Sequence, residues 1–106
     1  IIQLVKLVSM ITWNIYALSS ETSQLHGVKL RGRIRKFGLQ AQINILVENA
    51  TDKPNVVRLA IQAQTNPKPI INFLAAIMPD SKLDLVLSNI QNPVLSKLKV
   101  NQAERY

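Results

Sequence analysis

Apolar and polar positions change rhythm along this chain, and the changes mark its elements. Residues 1–18 are mostly apolar, broken at Gln3, Lys6, Ser9, Thr12 and Asn14. The first four of these fall on every third residue, so they drift around a helix and leave no clean polar face. The charge-free, mostly apolar stretch from Lys6 to Leu18 covers about 12 residues, against roughly 20 for a helix that crosses a bilayer. Trp13 and Tyr16 lie one helical turn apart, a spacing suited to anchoring at a headgroup interface, with Lys6 as the accompanying cation. Ala17-Leu18-Ser19 also has the small-x-small spacing of a signal-peptidase site. Two readings stay open for residues 1–18. One is a hydrophobic helix, at a membrane or in a core; the other is a strand over 11–18 with Ile11, Trp13, Ile15 and Ala17 inward.

Residues 19–26 read as a polar connector. From Gly27 the period becomes two: Val28, Leu30 and Ile34 alternate with Lys29, Arg31, Arg33 and Arg35, with Gly32 on the apolar side. That pattern predicts a half-buried strand with a cationic outer face. Lys36-Phe37-Gly38 reads as a turn in which Gly38 supplies an unusual φ. A second strand follows, with Leu39, Ala41, Ile43, Ile45 and Val47 on one face, and it ends in the turn formers of residues 49–55. Val57, Leu59, Ile61 and Ala63 oppose Arg58, Gln62 and Gln64 in a third. Residues 65–69 form a loop, and 70–78 a short helix or strand stopped by Pro79-Asp80-Ser81. Leu83, Leu85 and Leu87 mark another strand, residues 89–93 a turn, and Val94, Ser96, Leu98 and Val100 a last strand.

The predicted fold is mainly β: a small antiparallel immunoglobulin- or fibronectin-like sandwich preceded by an N-terminal hydrophobic helix. Residues 1–18 are the anchor or core helix, 19–26 the connector, 27–101 the sandwich and 102–106 a polar tail. A chain of 106 residues has room for one modest core. Its 47% apolar content and mean hydropathy of +0.10 argue against disorder and against a polytopic membrane protein.

Charge alters this picture. The formal net charge is +7, and the excess is concentrated. Residues 1–47 carry six basic side chains against Glu21 alone, whereas residues 48–106 carry seven against five acidic ones. A concentrated patch attracts phosphate-bearing partners more than a uniform excess does. Lys29, Arg31, Arg33, Arg35 and Lys36 are therefore the candidate contacts to an anionic partner. As a strand face the row would span about 20 Å and track anionic headgroups, an acidic protein surface or a nucleic-acid backbone. Base stacking calls for aromatics, and the only one nearby is Phe37.

Catalytic chemistry finds little support. There is no cysteine and one histidine, His26, so thiolate chemistry and multi-histidine metal sites are excluded. Asp80 and Asp84 do not read as a convergent acid–base pair, and Glu48 with Asp52 falls short of a calcium loop. The three glycines, at 27, 32 and 38, form no phosphate-binding motif. Asn49-Ala50-Thr51 fits the N-glycosylation triplet and reads better as turn chemistry. No cofactor or metal is expected, and the chain is expected not to be an enzyme.

Two partial resemblances follow from particular stretches. The run Ile43-Asn44-Ile45-Leu46-Val47-Glu48-Asn49-Ala50-Thr51, the strand beginning at Val57, and Pro79-Asp80-Ser81-Lys82-Leu83-Asp84-Leu85-Val86-Leu87 resemble the water-stress domain of the late-embryogenesis-abundant superfamily. Ala50 stands where that pattern carries proline. The likeness covers about 60% of the chain and implies a sandwich without catalytic residues, often behind a membrane segment. It also implies a kinship with minor virion components of phages.

Separately, Gly32-Arg33-Ile34, Gly38-Leu39-Gln40-Ala41-Gln42-Ile43 and Leu98-Lys99-Val100 resemble strands of the domain that precedes the rhodanese unit in tRNA-hydroxylating enzymes. That resemblance implies a ferredoxin-like fold, which needs a helix between its first two strands. Residues 19–27 are too few to supply it, so this likeness ranks second.

The functional expectation is a non-enzymatic structural or interaction protein. It would be membrane- or assembly-associated, held by a lipid membrane or hydrophobic protein partner and part of a larger assembly. The alternative is a soluble basic module that binds nucleic acid through the face bearing Lys29, Arg31, Arg33 and Arg35.

Overall fold

The computed structural model describes residues 11–27 and 29–97. The expectations for Lys6, for residues 1–10, for a strand through Leu98 and Val100, and for the tail fall outside the described residues.

Six elements follow one another: β1 (Trp13–Ser19), α1 (Leu30–Ala41), β2 (Ile45–Asn49), β3 (Val56–Gln62), α2 (Lys68–Ile77) and β4 (Lys82–Ile90). The strands form one four-stranded sheet in the order β2-β3-β1-β4, with every neighbouring pair antiparallel. β3 thus lies between β1 and β2, which α1 connects, and β1 lies between β3 and β4, which α2 connects. This is the split βαβ arrangement of the ferredoxin-like architecture. The expectation of an antiparallel, β-rich fold holds. In place of a second facing sheet, however, two helices pack on the described sheet.

The main correction lies at residues 30–38, where the expected cationic strand and its turn are helix α1; Val28 falls outside the described residues. Leu30 and Ile34 stand four apart, a spacing that a period of two and a period of 3.6 both satisfy. Phe37 and Gly38 decide between them, because they continue the stripe at i+7 and i+8 and lie over the same face. Leu30, Ile34 and Gly38 are buried in α1, and Phe37 packs on the core. The helix therefore begins beyond the 19–27 connector, which is why counting residues in that connector did not reveal it.

Gly38 is needed for space, not for φ. A Cβ there would come within 2.9 Å of the Ile43 carbonyl oxygen and 3.1 Å of Ile45. The left-handed residue at this end of the helix is Gln42, at φ 58, as Lys29 at φ 61 is at the other. The Gln42 N–H donates to Leu39, and the Ile43 N–H reaches back to the Gly38 carbonyl at 2.9 Å. Together these bonds close the helix as a Schellman motif. The expected strand over 39–48 is accordingly divided: residues 39–41 finish α1, and only Ile45–Asn49 pairs in the sheet.

The alternation reads true in β3 but not throughout β4, where a register shift puts Leu83 and Leu87 in different core clusters and leaves Leu85 54% exposed. β3 buries Val57, Leu59 and Ile61 against the helices, and the 49–55 turn and β4 fall where expected. Residues 70–78 take the helical option as α2, with Pro69 in its first turn and Ile70 and Leu74 buried. Phe37 of α1 stacks on Phe73 of α2 with ring centroids 4.3 Å apart, which joins the two helices.

β1 resolves the first open reading. Residues 13–19 are an interior strand, so no anchor helix runs through them. Its even positions Tyr16 and Leu18 join the main core with the helices. Its odd positions Trp13 and Ile15 join a second cluster on the other face, with Ala60 and Leu95. An interior strand is buried on both faces, which explains why residues 11–18 lack a polar side.

The last expected strand is not a strand where it is described. Val94 forms a lone bridge and residues 95–97 turn. This strap lies over the second sheet face: Leu95 packs on Ile15 and Ala60, and the Ser96 carbonyl accepts from Thr51 N–H at 2.6 Å.

Candidate functional site

A helix repositions the five candidate cations. From Lys29 to Lys36 the rise is about 10 Å, half the length of the expected row. The charges are thereby denser and no longer collinear. At 100° per residue, Lys29, Arg33 and Lys36 (i, i+4, i+7) run along one flank of the buried stripe, and Arg31 with Arg35 along the other. Lys29, Arg33, Arg35 and Lys36 are exposed and Arg31 is half-buried.

Only one of the five has an acidic partner among the described residues. Arg35 Nη2 lies 3.6 Å from Glu48 and donates to the Val47 carbonyl at 2.9 Å. The other ion pairs there are Arg58–Asp52 and Lys82–Asp84. The helix adds no acidic residue in its first turn. Apart from Arg35, the cations of α1 and its N-cap thus form a surface with no countercharge among the described residues.

Between the two cationic flanks stands Leu39, one turn beyond Arg35 and Lys36 and 82% exposed. The strand reading turned Leu39 inward. A helical projection of 30–41 puts it opposite the Leu30–Ile34 stripe, which was the signal available. The other aromatic candidates leave this face. Phe37 is engaged by Phe73, so it offers no free ring for a base. Trp13 and Tyr16, expected at a membrane interface, sit on opposite faces of β1 because adjacent strand positions alternate.

A second polar assembly holds the connector that leads into α1. Ser20, Thr22 and Ser23 all donate hydroxyls to one carboxylate oxygen of Asp80, at 3.2 Å for Ser20 and 2.5 Å for Thr22. The bonds from Ser23 and then Thr22 hold the Asp80 carboxyl down at about 2, below its ordinary 3.8. From the β2–β3 turn, Asn55 Nδ2 donates to the carbonyls of Ser20 (3.1 Å) and Ser23 (2.8 Å). Its Oδ1 accepts the Leu25 N–H at 2.7 Å. His26 Nε2 meets the Val56 carbonyl at 2.6 Å as donor. His26 is therefore a strut of the loop, and the connector is a fixed lead-in to the helix.

A groove of about 470 Å³ beside this loop is lined by Glu21, Asp80 and Asp84 among others. Asp80 is committed to hydroxyls, and among the described residues no three His, Cys, Asp or Glu side chains converge as metal ligands. Asp84, on the same groove, lies 3.8 Å from the Lys82 ammonium.

On the second sheet face Arg58, 1% exposed, forms a two-point pair with Asp52 at 2.6 and 3.2 Å. It also donates to the Leu95 carbonyl at 3.1 Å. The guanidinium bond lowers the Asp52 carboxyl pKa. Asn49, of the glycosylation triplet, ends β2 with its Oδ1 buried and without a hydrogen-bond partner among the described residues. The Thr51 hydroxyl is bound to the Ser96 carbonyl at 3.0 Å. The Asn49 side chain is thus partly buried at the end of the sheet, whereas Thr51 is exposed and tied to the strap at Ser96.

No helix among the described residues is long and apolar enough to cross a membrane. No family model, curated protein or solved structure matches the chain.

Proposed function

We propose that this chain is an interaction module that docks an anionic surface through the outer face of α1. The observation that supports it is the exposure of Lys29, Arg33 and Lys36 along one flank, with Arg31 across the helix, and no acidic partner for any of them among the described residues. Such a patch raises the encounter rate with a negative partner and loses its attraction as salt screens it.

The test compares two variants of equal net charge. Lys29→Gln, Arg33→Gln and Lys36→Gln are combined in one, and Lys53→Gln, Lys68→Gln and Lys82→Gln in the other. Binding to phosphatidylserine vesicles, polyglutamate and a single-stranded oligonucleotide is measured from low to high salt. The proposal expects the first variant to lose binding and its salt dependence while the second keeps both. Equal losses would mean that net charge, not α1, governs association.

A further inference from the structure

Resting on that reading, we infer that the anionic surface is a lipid bilayer and that Leu39 inserts into it. A nucleic-acid or polyglutamate chain needs cations and gains nothing from an aliphatic side chain held in water. A bilayer surface uses both: headgroups attract Lys and Arg, and the acyl boundary below them accepts apolar side chains.

α1 presents that combination in the right order. Leu39 is 82% exposed, the most exposed of the large apolar side chains in the described core and surface. Arg35 and Lys36 precede it by one turn on its two sides, and Arg33 lies further along the same flank as Lys36. The Leu30–Ile34–Gly38 stripe faces away into the core, so the helix can lie on a membrane without unfolding. Gly32, two turns before Leu39 on the same outer side, is exposed, and a Cβ there would meet nothing within 4 Å beyond its chain neighbours and its own helix backbone.

The patch also stands on a rigid base. α1 is closed by the Schellman turn at Gln42 and joined to α2 through the Phe37–Phe73 stack. Docking then orders few side chains beyond those that make contact, which lowers its entropic cost.

The test uses the intact chain and vesicles of phosphatidylcholine with or without phosphatidylserine, in sedimentation or flotation. Leu39→Ser and Leu39→Phe are compared with the parent and with the Lys29/Arg33/Lys36 glutamine variant; circular dichroism checks that each folds. Removing one inserted leucine should weaken binding to phosphatidylserine vesicles by about tenfold or more. Leu39→Phe should retain or strengthen it, and neither should change binding to polyglutamate. If Leu39→Ser binds the vesicles as the parent does while the glutamine variant does not, insertion is overturned and the anionic-surface reading stands. If the glutamine variant also binds as the parent does, both fall. Preferential binding of the oligonucleotide over the vesicles, indifferent to Leu39, would replace the bilayer with nucleic acid.

Discussion

Arg35 reaches from α1 to the edge strand β2, where its Nη2 donates to the Val47 carbonyl at 2.9 Å. β2 lies at the end of the sheet order, so the bond closes part of an otherwise open edge. Arg35 thus differs in kind from its neighbour Lys36, which has no such contact among the described residues. Arg35→Ala should lower stability by about 0.5–1.5 kcal/mol, the net value of one hydrogen bond. Lys36→Ala should stay within about 0.5 kcal/mol of the parent. Urea denaturation of both variants decides this; equal midpoints would deny Arg35 its structural role.

The two helical glycines should respond in opposite directions. Gly32 has open space at its Cβ position and no positive φ, so Gly32→Ala should stabilise the chain by about 0.5–1 kcal/mol. Gly38→Ala would drive a methyl to 2.9 Å from the Ile43 carbonyl and should destabilise it. Gln42→Gly should stabilise, because glycine holds the left-handed position without a Cβ penalty. Thermal unfolding monitored by circular dichroism reads all three. Destabilisation by Gly32→Ala would argue against a helix at this position.

Asn55 tests how the connector is held. Its φ of 53 would suit glycine, so Asn55→Gly keeps the backbone and removes only the amide. Three hydrogen bonds to residues 20–25 vanish with it, a loss of about 1–3 kcal/mol. Amide exchange should rise at Leu25, whose N–H loses its acceptor. Unchanged exchange there would show that the loop holds itself.

Acid should weaken the fold through Asp80 and Asp52, both depressed in the native state. Above the ordinary carboxylate pKa of 3.8 both are ionised folded and unfolded, and their full contribution is present. As pH falls, the unfolded chain takes up protons first, so stability declines, for Asp80 until about 2. Asp80→Asn should flatten part of that decline. Urea midpoints measured from pH 6 to pH 2 check it, and an unaltered slope in the variant would contradict the role given to Asp80.

Much of the sheet was legible because it rests on local alternation. Val57, Leu59 and Ile61 face the core as their period predicts, and the turn at 49–55 falls on its Asn, Asp and Pro residues. Residues 30–35 read as strand because Leu30 and Ile34 fit both periods, and the deciding Phe37 and Gly38 lie beyond them. The strand reading had already placed Gly32 on its apolar side, where it contributed no side chain. Trp13 and Tyr16 suggested an interface because an interior strand, apolar on both faces, imitates a short hydrophobic helix. The Asp80 clasp was invisible for another reason. Its hydroxyl partners lie 57 to 60 residues away, and only the adjacency of β1 and β4 brings them together.

The most direct test of the account is a two-dimensional NMR titration of the labelled intact chain with phosphatidylserine-containing bicelles. The account predicts broadening and shift changes centred on residues 29–40, including the Leu39 methyls, reversed by high salt. Perturbation confined to the second sheet face or to β4, with the α1 resonances unmoved, would contradict it.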